Sequence, residues 1–306
     1  MVKKKIHFRG FLTNTDASIL KLKQENGFKI RALSDTEAYD FIKEIDKIPI
    51  REARRTLFVQ YPYLNFQEKK VYVIDNSFEV DAKLEENEFF NNIARFDNKE
   101  VWGYLNPTFQ LLRLFKEGDL RIPLKYYFII KNGKPTSFMC SKNSKYCSRE
   151  LFHLENSELI DLNVFLRDTK LPFKESFLQL AFENYTLSYE IANRALSFLT
   201  LMISLETLLN PSSSELRYRI SRNTAVLLGT DEDESKKIFA EIKKLYNKRS
   251  KIVHEGESGE SNSTKEDFLK LRYYVRESIK KMYLINKSKE EILDQLNSSG
   301  FENNIT

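Results

Sequence analysis

Apolar residues along this chain keep two rhythms, and the change from one to the other divides it. Over the first part they come in short runs bounded by polar residues, the pattern of strands. Residues 6–12, 28–33 and 71–74 are such runs, the last rich in β-branched side chains. Two more strands are predicted at 126–130 and 136–139, with Lys131-Asn132-Gly133-Lys134 between them as a hairpin turn. Helical segments interrupt the strands. Ser34-Asp-Thr-Glu37 has the spacing of a capping box, and Ile42 and Ile45 follow on one helical face. Residues 102–115 have helical spacing, with Gly118 near their end. Together these predict an α+β domain over residues 1–172, of unassigned fold.

Past that point the period is helical almost throughout. Helices are predicted over 175–185, over 187–209 with Asn210-Pro211 as the stop, and over 215–228 ending at Gly229. The next, over 233–254, carries Ile238, Phe239, Ile242, Leu245 and Tyr246 on one apolar stripe. Residues 255–263 are a polar Gly/Ser-rich loop, after which Thr264 starts a helix to about 284. Ser288-Lys-Glu-Glu291 is a second capping-box pattern. The spacing predicts an all-α bundle of four or five helices over residues 173–306. The boundary falls near 170–186, where Leu171-Pro172 breaks the pattern.

Composition adds limits. A chain of 306 residues suits two domains better than one. The net charge of +5 is spread thinly, which argues against a general nucleic-acid coat and requires any basic footprint to be local. Cys140 and Cys147 are too few for a disulfide framework and lack the spacing of a zinc site, so they read as reduced structural thiols, and no cofactor is expected. The basic start, Met1 to His7, is followed by no apolar signal segment. The most apolar stretch, 195–209, is too short for a bilayer and contains Glu206. A cytoplasmic protein without membrane contact is the expectation. His7 and His153 have no motif around them and read as structural.

One segment suggests chemistry: Leu245-Tyr-Asn-Lys-Arg-Ser-Lys-Ile-Val-His-Glu-Gly256. RNA carries its own nucleophile, the 2′-hydroxyl. Cleavage then needs a group to move that proton, which a near-neutral imidazole does, and a cation for the charge growing on the phosphate, which a guanidinium fork matches. His254 and Arg249 are those residue types. Residues five apart on a straight helix differ by roughly 140° and about 7.5 Å along the axis. Either the helix loosens before Gly256, or two chains each contribute part of the site around a two-fold axis. The plainer reading pairs Arg249 with an acid such as Glu206 and leaves His254 as a polar helix end.

Three ordered segments resemble the HEPN ribonuclease family, in its ApeA-like branch, over roughly residues 187–285. They are Phe198 to Leu209, ending Leu-Glu-Thr-Leu-Leu; Leu216 to Gly229, arginine-bearing and closing in Leu-Leu-Gly; and Leu245 to His254, close to an Arg-Ser-Lys-x-x-His signature. Glu255 stands before Gly256, where many relatives have Gly directly after the His. The resemblance implies a HEPN-like helical bundle and a metal-independent endoribonuclease of antiphage defence or toxin type, forming a homodimer through the C-terminal helical domain. A partner protein as regulator fits the same picture. It implies Arg249 and His254 as catalytic and Ser250 as accessory. Lys248, Lys251, Arg219 and Arg222 are candidates for RNA phosphates, with a solvated helix face or ion pairs across the bundle as the alternative. Arg217 lies about 200° from Arg219 around its helix. A non-catalytic HEPN module that binds RNA or a partner protein is the rival function.

Overall fold

The computed structural model describes residues 3–24, 26–53, 70–81, 97–142, 150–210, 215–255 and 264–300. The chain forms two compact units, Met1–Thr169 and Lys170–Thr306. The sequence placed this boundary a few residues later.

The first unit is α+β. Its strands β1 (Lys3–Thr13), β2 (Lys29–Ser34), β3 (Lys70–Asp81), β4 (Arg121–Lys131) and β5 (Lys134–Lys142) form one antiparallel sheet in the order β2-β3-β1-β4-β5. Side chains alternate across a pleated sheet, so β1 feeds two cores. Ile6, Phe8 and Leu12 join one under α2 (Gly103–Phe115), and Phe11 joins the other under α1 (Asp35–Asp46). Burial of each such side chain contributes about 1.5–3 kcal/mol. The predicted capping box is present: Ser34 accepts from Glu37 N–H, and the Glu37 carboxylate accepts from Ser34 N–H at 2.7 Å. The predicted hairpin turn is also present, with positive φ at both Asn132 (50°) and Gly133 (74°). Primed turns of this kind match the strand twist. Cys140 lies on β5; Cys147 lies outside the described residues.

Two features of this unit escaped the pattern. Helix α3 (Leu159–Asp168) buries Leu162 but exposes Ile160 and Val164, so its apolar residues mark no single face. A buried polar cluster sits beside Trp102. The Lys125 ammonium donates to Asp97 at 2.5 Å and lies 4.8 Å from the Trp102 ring, and the Tyr127 hydroxyl donates to the same carboxylate at 2.5 Å. Burial pushes the Lys125 amine down, against the opposing pull of Asp97.

The second unit is helical: α4 (Ser176–Leu187), α5 (Arg194–Leu209), α6 (Leu216–Leu228), α7 (Glu232–Glu255), α8 (Lys265–Ile285) and α9 (Lys289–Ser298). Helix α4 packs along α5 and α6 along α7, while α8 lies against α4, α5 and α6. The single helix expected over 187–209 starts instead at Arg194. Asn193 caps it by accepting from Leu196 N–H, and Ser197 Oγ donates back to Ser188 O at 2.6 Å. Short polar side chains that bond nearby backbone compete with helix, which a reading of apolar spacing overlooks. The capping box at Ser288 and Glu291 forms as expected, and Thr264 caps α8 through Asp267 N–H.

Candidate functional site

The site is organised by α7, so what fixes α7 comes first. Asp231 accepts from Glu234 N–H at 2.8 Å, and Glu234 in turn accepts from Thr230 N–H at 2.8 Å. Acids crowd this first turn, which suits the positive end of the helix dipole. Gly229, expected as a helix end, is needed for space as well. A Cβ there would stand 2.1 Å from Ser235 Oγ, and that serine is buried where α7 leaves the turn. Farther along, Ile238, Ile242, Leu245, Tyr246 and Ile252 are buried. The opposite face, with Lys243, Lys244, Asn247, Lys251 and His254, is exposed.

The helix runs unbroken through Glu255. It does not loosen before the glycine, so Arg249 and His254 stay about 140° apart around its axis. Arg249 points inward toward α5: its Nε stands 3.6 Å from Glu206 Oε1, and its guanidinium carbon lies 5.7 Å from the Tyr246 ring centre. At 3.6 Å the contact is an ion pair too long to be a hydrogen bond, and Glu206 Oε1 accordingly has no hydrogen-bond partner. Burial, and next the charge of Glu206, push the Tyr246 phenol up. The acid weighed as a partner for Arg249 is thus in place. The role of Tyr246, whose helical spacing marked it only as core, was missed. His254 is exposed, and among the described residues nothing hydrogen-bonds or ion-pairs with its ring.

The accessory candidates separate by geometry. Lys248 is spoken for: it forms an ion pair with Asp267, the residue that closes the cap of α8. Asp267 is held below its ordinary range; burial acts the other way, and the bonds from Lys248 and Thr264 prevail. Arg222 is also engaged, donating to Leu296 O at 2.7 Å and Ser299 O at 2.6 Å, where it satisfies carbonyls at the end of α9. Arg219 Nε lies 3.8 Å from Glu215 and, with Arg222, lines a cavity of about 240 Å³ beside Asn223 and Asn297, away from the Arg249 side chain. Ser250 is half-buried on α7 next to Arg249. Lys251 is exposed and has no carboxylate in ion-pair reach among the described residues. Arg217, which the sequence left apart, donates to Asn247 at 2.9 Å and so stands beside the exposed face of α7.

The two other histidines sit in the first unit. His7 stacks on Phe128 at 5.2 Å, and burial, then Lys5, push its imidazole down. His153 lies between Asp16 (2.6 Å from Nδ1) and Glu155 (3.1 Å from Nε2), and the Asp16 bond and charge push it up. Among the described residues no three His, Cys, Asp or Glu side chains gather where a metal ion could sit, and no helix is long and apolar enough to cross a membrane. No family model, curated protein or solved structure matches the chain.

Proposed function

We propose that the chain is a metal-independent endoribonuclease of HEPN type, working as a homodimer through its helical unit, in antiphage defence or as a toxin. A 2′-hydroxyl of the RNA attacks the adjacent phosphorus, the bond from phosphorus to the 5′-oxygen breaks, and the products carry a 2′,3′-cyclic phosphate and a 5′-hydroxyl. His254 accepts or returns the proton. Arg249 stabilises the charge on the phosphate, with Ser250 accessory to it. In this reading the first unit supplies substrate choice or regulation.

One observation carries the proposal. Among the described residues nothing bonds the exposed His254 imidazole, which lies on the same rigid helix as Arg249, and the sequence places no acid between Ile242 and His254. The angle between the two side chains favours a site shared by two copies over one built within a chain. Apolar side chains lie exposed on the two helices that carry the Arg249–Glu206 contact: Leu196 and Ile203 on α5 are 55% and 45% exposed, and Val253 on α7 is 47% exposed. A second copy seated there covers them and can bring its own α7 alongside.

The Arg249–Glu206 contact also favours the second reading, a non-catalytic module that binds RNA or a partner protein, because it gives Arg249 a structural task. Incubation of the purified chain with total RNA in EDTA, followed by analysis of product ends, separates the two. Cyclic phosphate and 5′-hydroxyl ends support the enzyme. RNA retained intact by a well-folded chain supports the module.

A further inference from the structure

We infer that the exposed face of α7, together with Arg217 of α6, is a track for the backbone of single-stranded RNA leading to His254; the choice of ligand rests on the ribonuclease reading. Lys243, Lys244, Asn247, Lys251 and His254 fall within an arc of about 100° on the helix. All are exposed, and among the described residues none of the three lysines has a carboxylate within ion-pair reach. Arg217 extends the arc sideways through its bond to Asn247 and makes no other hydrogen bond among the described residues. Three other cations on this helix are occupied: Lys236 pairs with Glu232, Lys248 with Asp267 and Arg249 with Glu206.

Two physical points favour RNA over a merely solvated face. A row of unpaired cations on one rigid element holds a uniform field that a polyanion neutralises at many points, releasing counterions. The advance from Lys243 to His254 is about 16 Å, enough for a few nucleotides. Attack by a 2′-hydroxyl in line with the leaving oxygen also needs a backbone free to twist, which a single strand has and a duplex lacks. The row itself is made of cations and an amide, groups that take hold of phosphates, and the Tyr218–Phe239 ring pair stands at its Lys243 end.

The test uses the full chain and a fluorescent single-stranded oligonucleotide with 2′-O-methyl groups throughout, which cannot be cleaved by this chemistry. Its affinity is measured from low to moderate salt for wild type, Lys243→Gln/Lys244→Gln, Lys251→Gln and, as a control of equal charge change away from α7, Lys131→Gln/Lys134→Gln at the β4–β5 hairpin, where both lysines are exposed. Exposed lysines support no core, so melting temperatures should agree. The Lys243/Lys244 double variant should bind about tenfold more weakly at low salt, and its log-log salt slope should fall by about 1.4, at roughly 0.7 per lost phosphate contact. Lys251→Gln should lose about half that slope, and the control should match wild type. Equal losses in both double variants, or no binding by wild type, overturn the track. Wild-type binding that depends on the track without any cleavage of unmodified RNA removes the enzyme and leaves the track standing. Cleavage with an unchanged KM in Lys243→Gln/Lys244→Gln removes the track and leaves the enzyme.

Discussion

Glu206 on α5 and Arg249 on α7 face each other at 3.6 Å, close enough for charge to attract and too far for a hydrogen bond. Both side chains are partly open to water, at 21% and 28% exposure. Such a pair contributes on the order of 1 kcal/mol or less. Arg249 is therefore oriented without being committed, and a phosphate that offers its fork two oxygens can displace the carboxylate at small cost.

The catalytic pair gives the most direct prediction. His254→Ala and Arg249→Ala should each lower RNA cleavage by about 10²–10⁴. The double variant should be little worse than either, because residues acting as one unit are not additive. Arg249→Lys keeps the charge, loses the fork and should recover part of the rate. Wild-type cleavage rates from folded His254→Ala protein would exclude the assignment.

The exposed apolar residues beside that pair predict the assembly. Full-length chain should scatter light as a dimer at tens of micromolar. Ile203→Glu and Val253→Glu should each shift it to monomer and lower cleavage at least about a hundredfold, with stability within about 0.5 kcal/mol of wild type for a surface change. A dimer that survives both substitutions places the interface elsewhere.

Chelation provides an independent check. With a guanidinium for the phosphate charge and an imidazole for the proton, cleavage should proceed undiminished in millimolar EDTA. Activity lost on chelation and restored by a divalent cation would refute the mechanism.

The first unit carries its own pH dependence. Asp16 raises the pKa of His153 in the folded state above the ordinary 6.5. A raised pKa means the folded state binds the proton more tightly, so the stabilisation is fully present below about 6.5 and is lost as pH rises through the raised value. His153→Ala should therefore lower the melting temperature at pH 6 and leave it nearly unchanged at pH 9. Equal losses at both pH values would assign His153 a packing role instead.

How much of this was legible in the sequence depends on the range of the interaction. Caps such as Ser34 with Glu37, and the Asn132-Gly133 turn, are set by neighbours a few residues apart, and these were read correctly. The end of α7 near His254 was also legible to within a residue, while apolar spacing left open whether the helix loosens before Gly256, which the unbroken helix through Glu255 answers. The fates of Lys248 and Arg222 were hidden. Lys248 finds Asp267 only after the chain has turned back, and Arg222 finds carbonyls of residues 296 and 299, acceptors that every residue carries and no sequence advertises. Spacing along a helix identified which cations share a face; only packing decided which of them remain free.

The close approach of Ser235 to Gly229 has a mechanical consequence at the far end of α7. An α-helix is torsionally stiff, so its rotation about its own axis is settled wherever it is first gripped. That grip is the contact where an added methyl group would not fit. From Ser235 to His254 the helix advances about 28 Å, and an angular error made at the start arrives undiminished. A turn of thirty degrees there would carry Arg249 off its seat against α5 and swing the imidazole by the same angle. Gly229 thus sets the aim of Arg249 and His254 near the other end of that helix.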